Sequence, residues 1–181
     1  MAGKTITFSL DSASIGKAIS ELNKYVDEVQ KMIKELVTQL AEQGAQIAMV
    51  KLAELGAVDS GELSDSLWGY YDEKLHVGII KATAMHAFFV EYGTGVMAQG
   101  HPGTGDGWDP PPVTVEMNGK SYGPYVKYDT NEHGENGWFY TSERDGRSHW
   151  TRGQVGRPFM YETFKELQTL APSIAAKIFN A

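Results

Sequence analysis

The sequence predicts an α+β fold: a long N-terminal helix packed on a small, mostly antiparallel sheet, with a β-rich insertion and a C-terminal helix. Three observations carry this reading. Apolar residues recur at positions 15, 19, 22, 26, 29, 33, 36 and 40, which is helical periodicity. Shorter stretches alternate apolar and polar at every second residue, as in half-buried strands. Residues 94–156 hold twelve of the twenty glycines and five of the seven prolines, which sets them apart as a turn-rich block. A chain of 181 residues is about the length of one domain, so residues 1–181 read as a single domain in which 95–156 is a Gly- and aromatic-rich β insertion.

Taken in order, Thr5 to Leu10 alternate strictly, with Ile6, Phe8 and Leu10 on one face, and predict a half-buried strand. Asp11 and Ser12 then offer N-cap oxygens for the long helix. Taking Ile19, Val26, Ile33 and Leu40 as heptad a and Ile15, Leu22, Val29 and Leu36 as d puts Glu21, Glu28, Glu35 and Glu42 at c. Lys17, Lys24 and Lys31 precede the first three of these by four residues, giving a solvated face with weak ion pairs. Positions e and g hold Ala18, Tyr25, Met32, Asn23, Gln30 and Val37, where a two-stranded zipper would carry charges. The stripe therefore suits packing on the protein's own sheet or on several neighbours. An unbroken helix over 13–55 would be about 64 Å long, against ~40 Å for a compact domain of this size, so it must bend, at Gly44, or project.

Gly56 ends this helix, and Asp59 with Glu62 three positions on predicts a capping box for a short one. Residues 66–71 and 74–80 read as a hairpin turning at Tyr71-Asp72-Glu73. A helical segment over 82–92 stops at Gly93, where positive φ is expected. Within the insertion, Val113 to Met117 followed by Asn118-Gly119 is a strand with a type I′ turn signal, and 122–129, 138–143 and 147–152 are further strands. Pro158 opens a last helix, patterned through Phe159, Phe164 and Leu167, then Pro172 and a final turn from Ile174 to Phe179.

Composition excludes several chemistries. There is no cysteine, hence no disulfide, thiol nucleophile or cysteine-ligated zinc. No apolar run approaches the roughly 18 residues that cross a bilayer, and MAGKTITFSL lacks the apolar core of a signal peptide, so no membrane partner and a cytoplasmic site of synthesis are expected. The net charge of −7 resolves into −4 over 56–93 and −3 over 94–156, with no basic cluster to grip phosphates. The loop GTGVMAQGHPGTGDG lacks the Gly-Lys-Ser/Thr ending of a phosphate cradle.

His101, Asp106 and Asp109, or Glu132, His133 and Glu135, offer metal donors without a metal spacing. Serines such as Ser60, Ser142 and Ser148 lack a nucleophile elbow, and the paired carboxylates Asp72 and Glu73 sit at a turn. No catalytic residue, metal ligand or cofactor is assigned. Trp138, Phe139 and Tyr140, with Tyr122, Tyr125, Tyr128 and Trp150 nearby, read as core or subunit interface ahead of a sugar- or base-stacking site.

Three segments, in order, resemble the tailed-bacteriophage neck family whose type member is the gene-ten product of a lambdoid siphophage, described as a tail component or minor head protein. Ala57-Val58-Asp59-Ser60-Gly61-Glu62-Leu63-Ser64-Asp65-Ser66-Leu67 is similar to Pro-Val-Asp-Thr-Gly-x-Leu-x-x-Ser-Ile. Ala87-Phe88-Phe89-Val90-Glu91-Tyr92-Gly93-Thr94 resembles Ala-x-Tyr/Phe-Val-Glu-Phe-Gly-Thr, and Arg157-Pro158-Phe159-Met160 resembles an Arg-Pro-Phe-Leu that opens a C-terminal helix. Ala57 departs from a usual proline, Glu62 from a frequent basic residue and His86 from a common tyrosine. The span from Thr94 to Arg157 is longer than the family's, so the likeness covers 13–94 and 157–181.

The resemblance implies a non-enzymatic virion protein of the neck, made in the bacterial cytoplasm. It would form a homo-oligomeric ring, hexameric with a dodecamer as the alternative, between the head connector or stopper and the tail terminator, lining a channel through which DNA passes without specific binding. Asp59, Gly61, Leu63, Glu91, Tyr92, Gly93, Thr94, Arg157, Pro158 and Phe159 are the expected structural and interface motif, with Arg157 paired to an acidic group such as Glu91. The alternatives are a receptor- or glycan-binding module carried by the aromatic insertion, and a metal-dependent hydrolase using His101 or His133.

Overall fold

The computed structural model describes residues 5–95, 97, 137–142 and 145–180, and the backbone alone of 113–117 and 120–125. The architecture is α+β. Helix α1, Ser12–Glu54, runs unbroken for 43 residues. It starts where the Asp11 carboxylate accepts the Ser14 N–H at 2.8 Å, satisfying one of the amides a helix start leaves open. It stops at Gly56, whose φ of +62° is disfavoured for a residue with a Cβ.

The short α2, Glu62–Asp65, is capped differently from the expectation. Its N-cap is Gly61 at φ +89°, with no side-chain cap, and the Ser60 hydroxyl takes the Glu62 amide at 3.3 Å. Gly61 adopts a left-handed turn, so the helix begins too late for an Asp59–Glu62 box.

Strands β1, Leu67–Asp72, and β2, Val77–Ala82, form an antiparallel hairpin with Asp72 opposite Val77. The turn is thus 73–76, one step later and longer than predicted. Asp72 explains the shift, because its carboxylate accepts the amides of both Lys74 and Leu75, at 2.8 and 2.9 Å, a turn motif that competes with the ladder. Leu75, expected inward on the strand, lies in this turn, 66% exposed.

The helical segment α3 is Ala87–Tyr92, shorter than 82–92 because β2 holds the chain as far as Ala82. Gly93, at φ +78°, caps it as expected. The chain then enters β3, Gly93–Gly95, which pairs antiparallel with β8, Gly153–Val155, a ladder that no sequence pattern announced. Between them lie two hairpins. β4, Val113–Met117, pairs with β5, Lys120–Tyr125, and β6, Trp138–Thr141, pairs with β7, Ser148–Thr151. Helix α4, Phe159–Phe179, runs through Pro172.

Thr5 to Leu10 form no strand. Phe8 and Leu10 are 57% and 94% exposed; alternation makes a segment able to pair, but no ladder partner meets it among the described residues.

The core sits at one end of α1, where Ala48 and Leu52 pack with Leu63, Leu67, Val90 and Phe159. The hairpin reaches α1 through its glycines. A Cβ on Gly69 would overlap the Ala41 carbonyl, and one on Gly78 would lie 2.8 Å from the Val37 carbonyl oxygen, so strand and helix backbones touch only because both positions lack side chains. Gly44 serves the same end within the continuous helix, since its Cβ would overlap Ile80 Cδ1 and lie 2.8 Å from Leu167 Cδ1. Lys51 ties α1 to α4, bridging Glu54 and Glu166 at 3.0 Å each. These partners, Glu54 first and then Glu166, raise its pKa.

Two substitutions test this packing. Gly69→Ala pits a new methyl against helix backbone, which cannot swing away as a side chain can, and is expected to cost about 3 kcal/mol as overpacking. Leu10→Ser removes an exposed side chain and should stay within about 0.5 kcal/mol of the parent. Urea unfolding of the two variants beside the parent checks both.

Candidate functional site: the junction of the three motifs

Residues that are far apart in sequence meet around one carboxylate. Glu91, on α3, is 3% exposed, and its two oxygens accept the Met160 N–H at 2.8 Å and the Tyr161 N–H at 3.1 Å. Both amides belong to the first turn of α4, which Pro158 leaves without a side-chain cap of its own. A carboxylate from elsewhere in the chain therefore supplies the cap and meets the positive end of the helix dipole. Burying a charge is tolerated here because charge-assisted hydrogen bonds receive it.

The expected pairing of Glu91 with Arg157 is corrected by this geometry. Among the described residues no ion pair joins the two; Arg157 instead enters through its backbone, its N–H donating to the Val90 carbonyl at 2.7 Å. The backbone amides at a helix start already provide the positive potential that a guanidinium was expected to supply. The signal was present in the sequence, as a helix opening at Pro158 with no Ser, Thr, Asp or Asn before it, but nothing local identified the remote residue that fills the role.

The other motif residues fall into place around this point. Leu63 and Phe159, 4% and 1% exposed, share the core with Val90. Gly93 is buried, and a Cβ on it would lie 2.6 Å from the Gly156 amide nitrogen, so the departing and returning strands touch directly. Thr94 accepts the Gln154 N–H at 3.2 Å, while the Gln154 side chain donates to the Phe89 carbonyl at 3.0 Å. Pro158 is buried, and Tyr92 is half-buried with its ring 4.9 Å from that of Phe88. Asp59 and Gly61 line an open cleft of about 540 Å³ with Ser60, His86, Gln154 and Arg157. All three motif segments thus meet, the first through Leu63 and Leu67 in the core with Asp59 exposed at the cleft.

The cleft carries one charge of each sign among its lining residues, Asp59 and Arg157. The hydrogen bonds described for histidine rings are Tyr71 with His76, at 2.9 Å, and Asp145 with His149, at 2.9 Å, neither of them in the cleft. Among the described residues no cluster of three or more metal-ligating side chains occurs. The donors His101, Asp106, Asp109, Glu132, His133 and Glu135 lie outside the described residues, as do Asn118-Gly119 and Tyr128.

Residues 17–93 match the family model described as "Bacteriophage HK97-gp10, putative tail-component". This segment is HK97-gp10-like. No curated protein and no solved structure matches the chain. The matched segment contains α1 from its second turn, the β1–β2 hairpin and the Glu91 helix, and it ends at Gly93, where the chain departs into the β3–β8 ladder. The third motif lies beyond it in sequence yet packs into its core through Phe159. The HK97-gp10-like segment is therefore completed by α4, held through Glu91.

Replacing Glu91 by Gln keeps the shape and one acceptor oxygen but removes the charge and turns the other oxygen into an amide donor facing a backbone N–H. Loss of about 2–3 kcal/mol is expected from such a buried charged partner, with Glu91→Ala at least as costly. Hydrogen exchange at Met160 and Tyr161 should rise in both variants, which separates loss of this cap from general destabilisation.

Proposed function

We propose that the protein is a structural component of the phage neck, a tail-completion subunit that forms a ring joining head to tail around the DNA path. The observation that carries the proposal is the HK97-gp10-like match over 17–93, a family of phage tail components, together with the packing of the three motif segments into one junction. Two features of the surface support the finer reading. Ile15, Ile19, Leu22, Val26 and Ile33 are 37–53% exposed along one helix, an apolar face of the kind that marks interaction sites. Asp59, Glu62 and Asp65 are exposed beside the cleft, and an acidic, lysine-poor wall lets a polyanion slide without gaining counterion-release affinity.

In this reading the work of the protein is mechanical. Repeated heterologous contacts close a ring, a hexamer by match to six-fold tails, with a dodecamer as the other geometry. The ring sits between the head connector or stopper on one side and the tail terminator on the other. No step of it calls for a nucleophile, a metal or a cofactor, and the assembled protein is a virion component.

A second reading has its own observation. Phe139, Tyr140 and Trp150 on the β6–β7 hairpin are 71%, 48% and 53% exposed, so these three rings are not core within one chain, and Phe139 stands directly across from Trp150. Exposed aromatics in such a hairpin suit a receptor or glycan as well as a subunit contact.

Deleting the gene from the phage discriminates the readings. The neck reading expects full-length tails and DNA-filled heads that remain unjoined in electron micrographs; normal joined particles would sink it. Removing only residues 96–152 should leave joined particles if the hairpin serves adsorption, and those particles would then fail to bind cells.

A further inference from the structure

We infer that the apolar face of α1 from Ile15 to Ile33 is a parallel seam between identical copies of this chain. The inference rests on the ring reading and names the part of the molecule that makes the ring's subunit contact. From Ser12 to Gln30 every residue except Ser14, Ala18 and Val29 is exposed, whereas the same stripe one turn further on, from Leu36 onwards, is taken up by the hairpin and α4. The sequence keeps the four-three spacing through both halves without a slip. In the first half, therefore, most of a helix face built for burial is left uncovered by the described residues, with Ala18 the buried exception. A lone amphipathic helix of this length gains its stability from packing, not from propensity.

The charge pattern identifies the occupant. Flanking positions e and g carry no charge over the exposed stretch, with Gly16, Asn23 and Gln30 on one side and Ala18, Tyr25 and Met32 on the other. Charges at these positions choose partners and orientation in helix pairs; a foreign partner would be selected by complementary charges, while two identical copies side by side must avoid like charges. The charged residues are instead placed away from the stripe, Lys17, Lys24 and Lys31 at f and Glu21, Glu28 and Glu35 at c. The polar face balances Lys17, Lys24 and Lys31 with Glu21, Glu28 and Glu35, so it lacks the net basic charge that draws an amphipathic helix to an anionic lipid surface.

Cyclic symmetry turns all subunits the same way along the axis, so the helices run parallel. The apolar residues at g widen the stripe to one side, which suits a helix touching different neighbours with its two edges. Five half-exposed aliphatic side chains amount to less than the ~800 Å² per partner of a stable free-standing interface. The seam therefore works together with contacts of the body around the ring, not as an independent zipper.

The absence of cysteine makes a direct test clean. Leu22→Cys, at d, treated with a short bismaleimide at micromolar protein, should give crosslinked multimers on a denaturing gel, while Lys24→Cys, on the opposite face, should remain monomeric under the same conditions. In parallel, Val26→Glu should reduce the mass measured by light scattering to that of one chain with its circular dichroism helix signal near native. Equal crosslinking at both cysteines, or a Val26→Glu protein with the parent's multimeric mass, overturns the seam and leaves the ring standing on other contacts. A parent protein that stays monomeric and uncrosslinked at tens of micromolar overturns the seam, and the unjoined-particle phenotype then decides separately whether the neck reading survives.

Discussion

The Glu91 carboxylate is the constraint on which the rest of the arrangement depends. It sits on a six-residue helix, buried, and it accepts hydrogen bonds from the first turn of a different helix that starts 68 residues later in the chain. Without it, α4 would begin with open amides against an apolar core, and a buried helix end without partners is costly. With it, the direction of α4 is fixed relative to α3, and Phe159 is delivered into the pocket formed by Ala48, Leu52, Leu63, Leu67 and Val90. A single acidic side chain thus connects local capping to global packing.

That connection also shows how the stretch between Gly93 and Gly153 is tied to the rest of the fold. The chain leaves at Gly93 and returns at Gly153–Val155, and the two ends are paired by a short ladder, by the Gln154 side chain on Phe89 and by the Arg157 amide on Val90. Once the ends are pinned, the entropy of closing what lies between grows only with the logarithm of its length. The intervening hairpins pair within themselves, so their folding makes small demands on the core.

The parts of the fold legible in the sequence were those governed by local chemistry. The start of α1 at the Asp11 side chain, its stop at Gly56, the glycine ending α3 and the β4–β5 and β6–β7 hairpins all follow from caps, turns and periodicity that a short window contains. What was hidden was set by distant partners. Nothing in the sequence around Gly69 and Gly78 points to α1, yet they are what lets the hairpin lie on it at Ala41 and Val37. Thr5 to Leu10 had every local property of a strand and lacked only a ladder partner among the described residues. The three motif segments were recognisable as a set, but the atoms joining Glu91 to α4 were not, since a cap supplied from another segment leaves no trace in the spacing around the helix it caps.

In the proposed ring, exposed apolar surface and negative charge answer different needs of the subunit. A chain carrying Leu22, Val26, Phe139 and Trp150 at about half exposure or more risks indiscriminate association before it meets its neighbours. A net charge of −7 counters this by long-range repulsion between free copies, while contacts that form over a few ångströms are decided by shape and by the neutral flanks of the helix stripe. Repulsion between identical copies also rises as a ring fills, which favours geometries that turn the acidic stretch around Asp59, Glu62 and Asp65 toward open solvent or a hydrated lumen and away from the subunit contacts. Under the proposed seam, the apolar helix face and the acidic stretch belong to one design constraint: the first would meet its copy, and the second would stay away from it.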